Sequence, residues 1–194
     1  MPIDVSTFLA GLTESRRAHQ IAERKGFIPG SGIVLPVALE VAIRHRLLLT
    51  PVLARSRLAT TSASIGIPSC EREQIEYWFA RYGENANWHL HLGQSGVVAL
   101  EIDPAQAKYS LAALTEDDDA WKRSLNYFAQ GRRHFLFESV PGLPKFLAYP
   151  GLQLHAGNSI PVPPSIVSGR TLFFDDPNAP VLPLPPLSKS VIVP

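Results

Sequence analysis

Val97-Val98-Ala99-Leu100-Glu101-Ile102-Asp103-Pro104 is an apolar run that ends in two carboxylates at i and i+2 and is closed by a proline. Aliphatic and β-branched residues in succession read as a buried strand. Pro104 has no N–H to continue a ladder and stops that strand at residue 103. Side chains alternate along a strand, so Glu101 and Asp103 project from one face while Leu100 and Ile102 project from the other. Two carboxylates side by side at the end of a core strand repel each other unless something cationic sits between them. A divalent metal is the first candidate, and a pair of strand-end acids merely facing water is the plainer alternative.

Working outward, Trp88-His89-Leu90-His91-Leu92 alternates and reads as a second strand, with Gly93 to Gly96 turning it back into the carboxylate strand as a hairpin. In the register that pairs Leu92 with Gly96, Trp88 and Leu90 share the core face, and His89 and His91 share the face of Glu101. Before this comes an amphipathic helix. Ser69 is placed to cap it, Ile75, Trp78, Phe79 and Tyr82 recur at helical spacing, and Gly83 stops it. Further upstream, Ile33 to Val37 reads as a strand. The segment from Arg44 to Arg57 reads as a helix or loop between solvated basic pairs, residues 60 to 68 as a loop, and residues 4 to 25 as helical. Downstream, Pro104 suits the first position of a helix over about 105 to 114, followed by a solvated acidic run from Glu116 to Asp119. Short strands over 124 to 128 and 134 to 138 flank Gln130-Gly131-Arg132-Arg133-His134. From residue 144 short strands alternate with Pro/Gly turns, and the Pro-rich end, about 177 to 194, wraps the surface in extended form or trails away.

At 194 residues and 45% hydrophobic the chain fits one domain, 1 to 194, with a proper core. A net charge of +1 excludes a globally basic nucleic-acid coat and leaves only local basic strips to grip phosphates. The single cysteine, Cys70, excludes an intramolecular disulfide and a cysteine-type zinc site and suits the cytoplasm. No apolar run approaches membrane-spanning length, and there is no Walker-type phosphate loop.

Several pieces then fall in one order. Asn85-Ala86-Asn87 follows the Trp-containing helix. A strand leads to Gly93, then comes Val-Val-x-Leu-Glu101-Ile-Asp103, then Gly131 to His134 with Phe-x-Phe, then Pro163-Pro164-Ser165 with Gly169-Arg170. In this order and spacing, over about residues 16 to 187, the chain resembles the primase-polymerase domain of the archaeo-eukaryotic primase superfamily. The resemblance implies an α+β fold: a twisted mixed or antiparallel sheet carrying the acids, flanking helices, and a smaller β-rich subregion forming a cleft.

It also implies residue roles. Glu101 and Asp103 stand at the motif that binds two divalent metals, Mg or Mn, and with His134 form the catalytic set. Gly131, Arg132, Arg133 and His134 stand at the turn that contacts the phosphates of the incoming nucleotide, where Gly or a small polar residue usually occupies the two arginine positions. Ser165 and Arg170 match the loop and strand that close the nucleotide pocket. At the family's third acid the chain departs from the pattern, with Gln153 in that place and His155 two residues on; these two and His89 and His91 are supplementary candidates. The activity implied is two-metal nucleotidyl transfer by a DNA primase/polymerase in replication of a plasmid, phage or integrated element. Its partners are nucleoside triphosphates, a nucleic acid template or primer, and a helicase or initiator in trans, with no membrane. The lost third acid keeps open an alternative, a catalytically degenerate primase-polymerase fold that binds nucleic acid or nucleotide and recruits a replication partner.

Overall fold

In the computed structural model the described residues are 32–53, 66–83, 86–106, 119–143 and 146–185. The helix expected over residues 4 to 25, and most of that expected over 105 to 114, lie outside them, as does residue 186 onward of the Pro-rich end. The described chain is α+β, built mainly on antiparallel sheets with few helices.

Strand β3 (Val97–Ile102) is the centre of the larger sheet, and its ladders run antiparallel to β5 (Arg132–Glu138) on one side and to β7 (Leu152–His155) on the other. β6 (Phe146–Tyr149) extends the sheet beyond β7. On the far edge of β5, β4 (Asn126–Ala129) pairs antiparallel with its first half and β11 (Leu182–Pro183) pairs parallel with its end. The apolar run of β3 is explained by this position, since five of its six residues, all but Glu101, are buried. Val98, Leu100 and Ile102 pack with Phe135, Phe137, Leu152, Leu154, Trp121 and Leu184 on one face. Val97 and Ala99 join Tyr127, Ala129 and Leu136 on the other, in a core shared with the rest of the molecule. Glu101 continues that second face past Ala99.

The smaller sheet is three-stranded, with β2 (Ala86–His91) between β1 (Leu49–Leu53) and β8 (Ser159–Val162), all antiparallel. Leu49, Trp88, Leu90, Ile160 and Val162 enter the shared core, against helix α1 (Val37–Arg44) and helix α2 (Arg72–Tyr82). Trp78 of α2 meets Trp88 with ring centroids 6.5 Å apart. Helix α2 follows the expected stripe and ends at Gly83, whose φ of 68° suits a residue without a side chain. Ser69 lies two residues ahead of the N-cap Glu71 and accepts a hydrogen bond from its N–H.

Ser69 is thus not the N-cap expected of it, and three further expectations are corrected. Residues 33 to 36 are irregular rather than a strand, and Val37 opens α1, because the Pro36 carbonyl accepts the Leu39 N–H and Leu39, Val41 and Ala42 turn one face inward. The segment after Arg46 contains a strand, β1, despite Pro51. Leu49 bonds Ser69 on the outer edge of that strand, so the missing N–H at Pro51, two residues on, also points away from β2. The third correction concerns the hairpin. β2 and β3 do not pair, because Leu92–Ser95 forms a helical turn (α3), ended by Gly96 at φ 67°, that carries the chain from one sheet to the other.

Ser165 ties the smaller sheet to the segment that follows β8. Its buried hydroxyl accepts the Trp88 N–H at 2.7 Å and donates to the Trp88 carbonyl at 3.0 Å. Ser165→Ala leaves a buried backbone N–H without that partner. The expected loss is about 1–3 kcal/mol in the free energy of unfolding, measured by urea denaturation.

Candidate functional site

Register assembles the site. Across β3, Glu101 faces His134 on β5 and Gln153 on β7, so residues far apart in sequence lie side by side on one face of the sheet. β4 and β5 form a tight hairpin in which Ala129 pairs with Arg132, leaving only Gln130 and Gly131 as the turn, with φ of 51° and 82°. Both central residues are left-handed, as in a type I′ hairpin turn, and Gly131 adopts that conformation at no steric cost. The consequence is that Arg132, Arg133 and His134 are strand residues and alternate. Arg132 and His134 project on the side of Glu101. Arg133 projects on the opposite side, where it pairs with Asp175 and donates to Asn126 at 2.7 Å. The turn expected to present both arginines to one phosphate group thus divides them between two faces.

Glu101 is the hub. Arg132 Nη1 pairs with its Oε1, and His155 Nε2 donates to its Oε2 at 3.1 Å. His134 Nδ1 lies 3.9 Å from the same Oε2. The bond from His155 and that from Arg132 outweigh the cost of burial and hold the Glu101 carboxyl at a pKa of about 2. His134 stacks on the Tyr127 ring, with centroids 4.8 Å apart and planes 6° from parallel. Tyr127 is fully buried and donates its hydroxyl to the Pro161 carbonyl at 2.8 Å, fixing the stack to β8. Burial pushes His134 down to about 4, against the opposing pull of Glu101. It is therefore neutral at physiological pH and brings no charge to the site. Its Nδ1 is buried without a hydrogen-bond partner.

Asp103 follows the strand. Its N–H donates to the Gly151 carbonyl at 2.8 Å, and its Oδ1 accepts the Ala105 N–H at 2.9 Å, closing a turn over 103 to 106. Continued one step from the pair Ile102 and Arg133, the register sets Asp103 opposite Arg132. After Glu101, Asp103 also adds to the field that stabilises the Arg132 charge. The cation that this acid pair calls for is thus present in the chain itself. The two divalent ions implied by the resemblance do not fit the donors as arranged. Both Glu101 oxygens are engaged, Asp103 spends one oxygen on its own turn, and Gln153 supplies no charge. Among the described residues, no group of three or more His, Cys, Asp or Glu is arranged to hold an ion.

The remaining expected residues lie elsewhere. His89 and His91 belong to the smaller sheet, and His91 Nε2 bonds Thr50 Oγ1 at 2.8 Å. Ser165 is occupied by Trp88, as described above. Arg170 is exposed on a hairpin of β9 (Ile166–Val167) and β10 (Arg170–Thr171). Gln130 Nε2 reaches Ser168 Oγ at 3.4 Å, which joins that hairpin's turn to the β4–β5 turn. Two contributors carry no recognisable sequence signal: Tyr127, which reads as an ordinary core aromatic, and Asp175, which takes Arg133 away.

Acidification is expected to destabilise the fold in two steps. His134 has a folded pKa below its unfolded value of 6.5, so the unfolded chain takes up more protons and stability falls between about pH 6.5 and 4. Glu101 has a folded pKa below its unfolded value of 4.5, so its stabilising contribution, complete above that pH, is lost from about pH 4.5 down to 2. Urea midpoints measured from pH 8 to 3 test this, and in His134→Phe the upper step should shrink but not vanish, because burial also lowers the pKa of His45, His89 and His91.

No curated protein matches the chain, and among the described residues no helix is long and apolar enough to cross a membrane. A family model does match, covering residues 38–187, which include the whole Glu101 cluster and both hairpins. On that match the chain belongs to the family of the N-terminal domain of bifunctional DNA primase/polymerases.

Proposed function

We propose that the chain is a DNA primase/polymerase-like nucleotidyltransferase of the archaeo-eukaryotic primase type, working in the cytoplasm in the replication of a plasmid, phage or integrated element. The observation that carries this reading is the lateral alignment of Glu101 with His134 and Gln153, three motif positions on one face of one sheet. In this reading Arg132, with 40% of its side chain exposed, meets the triphosphate of the incoming nucleotide. His134, held flat against Tyr127, donates or accepts a hydrogen bond at the same phosphates. Glu101 fixes Arg132 and His155 and keeps the centre negative beside a primer hydroxyl. The family works with divalent metal, and Mg or Mn is supplied in the assay.

The test is template-directed incorporation of a labelled deoxynucleotide on a primed strand. Metal-dependent extension that is lost in Glu101→Gln supports transfer. A folded protein that incorporates nothing with either ion contradicts it.

A second reading is favoured by Gln153, neutral where the family has an acid, and by the Arg132 contact with Glu101. Here the fold binds nucleotide or single-stranded nucleic acid without transferring, and recruits a helicase or initiator. It predicts nucleotide binding without extension, and extension restored by Gln153→Asp.

A further inference from the structure

We propose that Arg132 is the resident cation of the Glu101 and Asp103 pair and that it excludes divalent metal from that pair in the free protein. The proposal rests on the reading above only in taking this pair as the cation site.

The argument is one of charge and position. β3 and β5 bring Arg132 opposite Asp103, and its guanidinium reaches along the strand to Glu101 Oε1. The other oxygen, Oε2, is taken by His155. Glu101 has 13% of its side chain exposed, so little water competes for the contact from its side. A guanidinium is planar, permanently charged and well matched to a carboxylate edge. A divalent ion entering here would have to displace it from Oε1. The displaced cation would then stay close to a second, doubly charged one, because Arg132 is anchored on a strand beside both acids.

The same geometry states what lies underneath. With the guanidinium charge removed, Glu101 and Asp103 are left as two carboxylates on one face without a resident cation. Arg132 therefore sets which cation the acids accept, a role the hairpin gives it by placing it, and not Arg133, on this side.

Electron paramagnetic resonance titration of the full chain with Mn alone, without nucleotide, reads this directly. Arg132→Gln is expected to bind Mn about five-fold more tightly than the wild type, the order expected for release of an ion pair with one half-exposed partner. The gain should vanish in Glu101→Gln/Arg132→Gln. Arg132→Lys, which keeps the charge, should stay like the wild type. Arg132→Ala serves for the same comparison should Arg132→Gln lose its far-UV dichroism. Equal Mn affinity in wild type and Arg132→Gln would overturn the proposal, as would a gain that survives loss of Glu101 or appears equally in Arg132→Lys. Nucleotide incorporation plays no part in this readout, so failure here leaves the transfer assay to decide the function separately.

Discussion

Glu101→Gln should reduce templated nucleotide incorporation by a factor on the order of 10² or more while leaving the fold in place. The amide matches the carboxylate in shape, so the packing of β3 against β5 and β7 is retained. What it lacks is the charge that holds Arg132 at Oε1 and receives the His155 N–H at Oε2. Arg132 keeps 40% of its side chain in solvent and has Asp103 across the ladder, so the cost to stability is about 1 kcal/mol. Activity and stability thus separate. Steady-state extension rates with unfolding midpoints from the same samples show the difference. If incorporation and stability fall in proportion, Glu101 is a structural acid and the functional reading fails.

The largest effect on stability is expected at Trp88→Ala, about 3–5 kcal/mol. Trp88 is fully buried at the middle of β2, between β1 and β8, and its ring faces Trp78 of α2. Its backbone N–H and carbonyl are both bound by the Ser165 hydroxyl. Truncation empties a cavity where the smaller sheet, α2 and the segment after β8 meet, and a loss of this size is a large share of the 5–15 kcal/mol typical of a whole domain. Guanidinium unfolding followed by circular dichroism measures it. A change below about 1 kcal/mol would mean that the shared core does not depend on this contact.

The central strand was legible because its sequence is apolar on both faces, which only an interior position explains, and because Glu101 interrupts that run at one place. Helix α2 was legible from its stripe and its closing glycine. The link from β2 to β3 was not. Two alternating strands with a glycine-bounded gap usually pair as neighbours, and nothing in Leu92 to Gly96 distinguishes a hairpin loop from a helical turn that changes sheets. That one misreading put His89 and His91 beside Glu101 when they belong to the other sheet. Arg132 was visible as a charge near a turn. Its direction depends on the turn being only two residues long, and Gln130 lacks the Asn or Asp that marks such turns. His155 stands out in the sequence only by its place two residues after Gln153, while its reach to Glu101 follows from β7 lying directly against β3.

The proposed nucleotide site is the β3–β5–β7 face, and the imidazoles report on it. Histidine ring resonances followed by heteronuclear NMR, as a non-hydrolysable deoxynucleoside triphosphate is added, should shift for His134 and His155. Those of His89 and His91, on the smaller sheet, should stay where they are. Shifts confined to His89 and His91, or none at millimolar triphosphate, would contradict the assignment of the site to Glu101 and its neighbours.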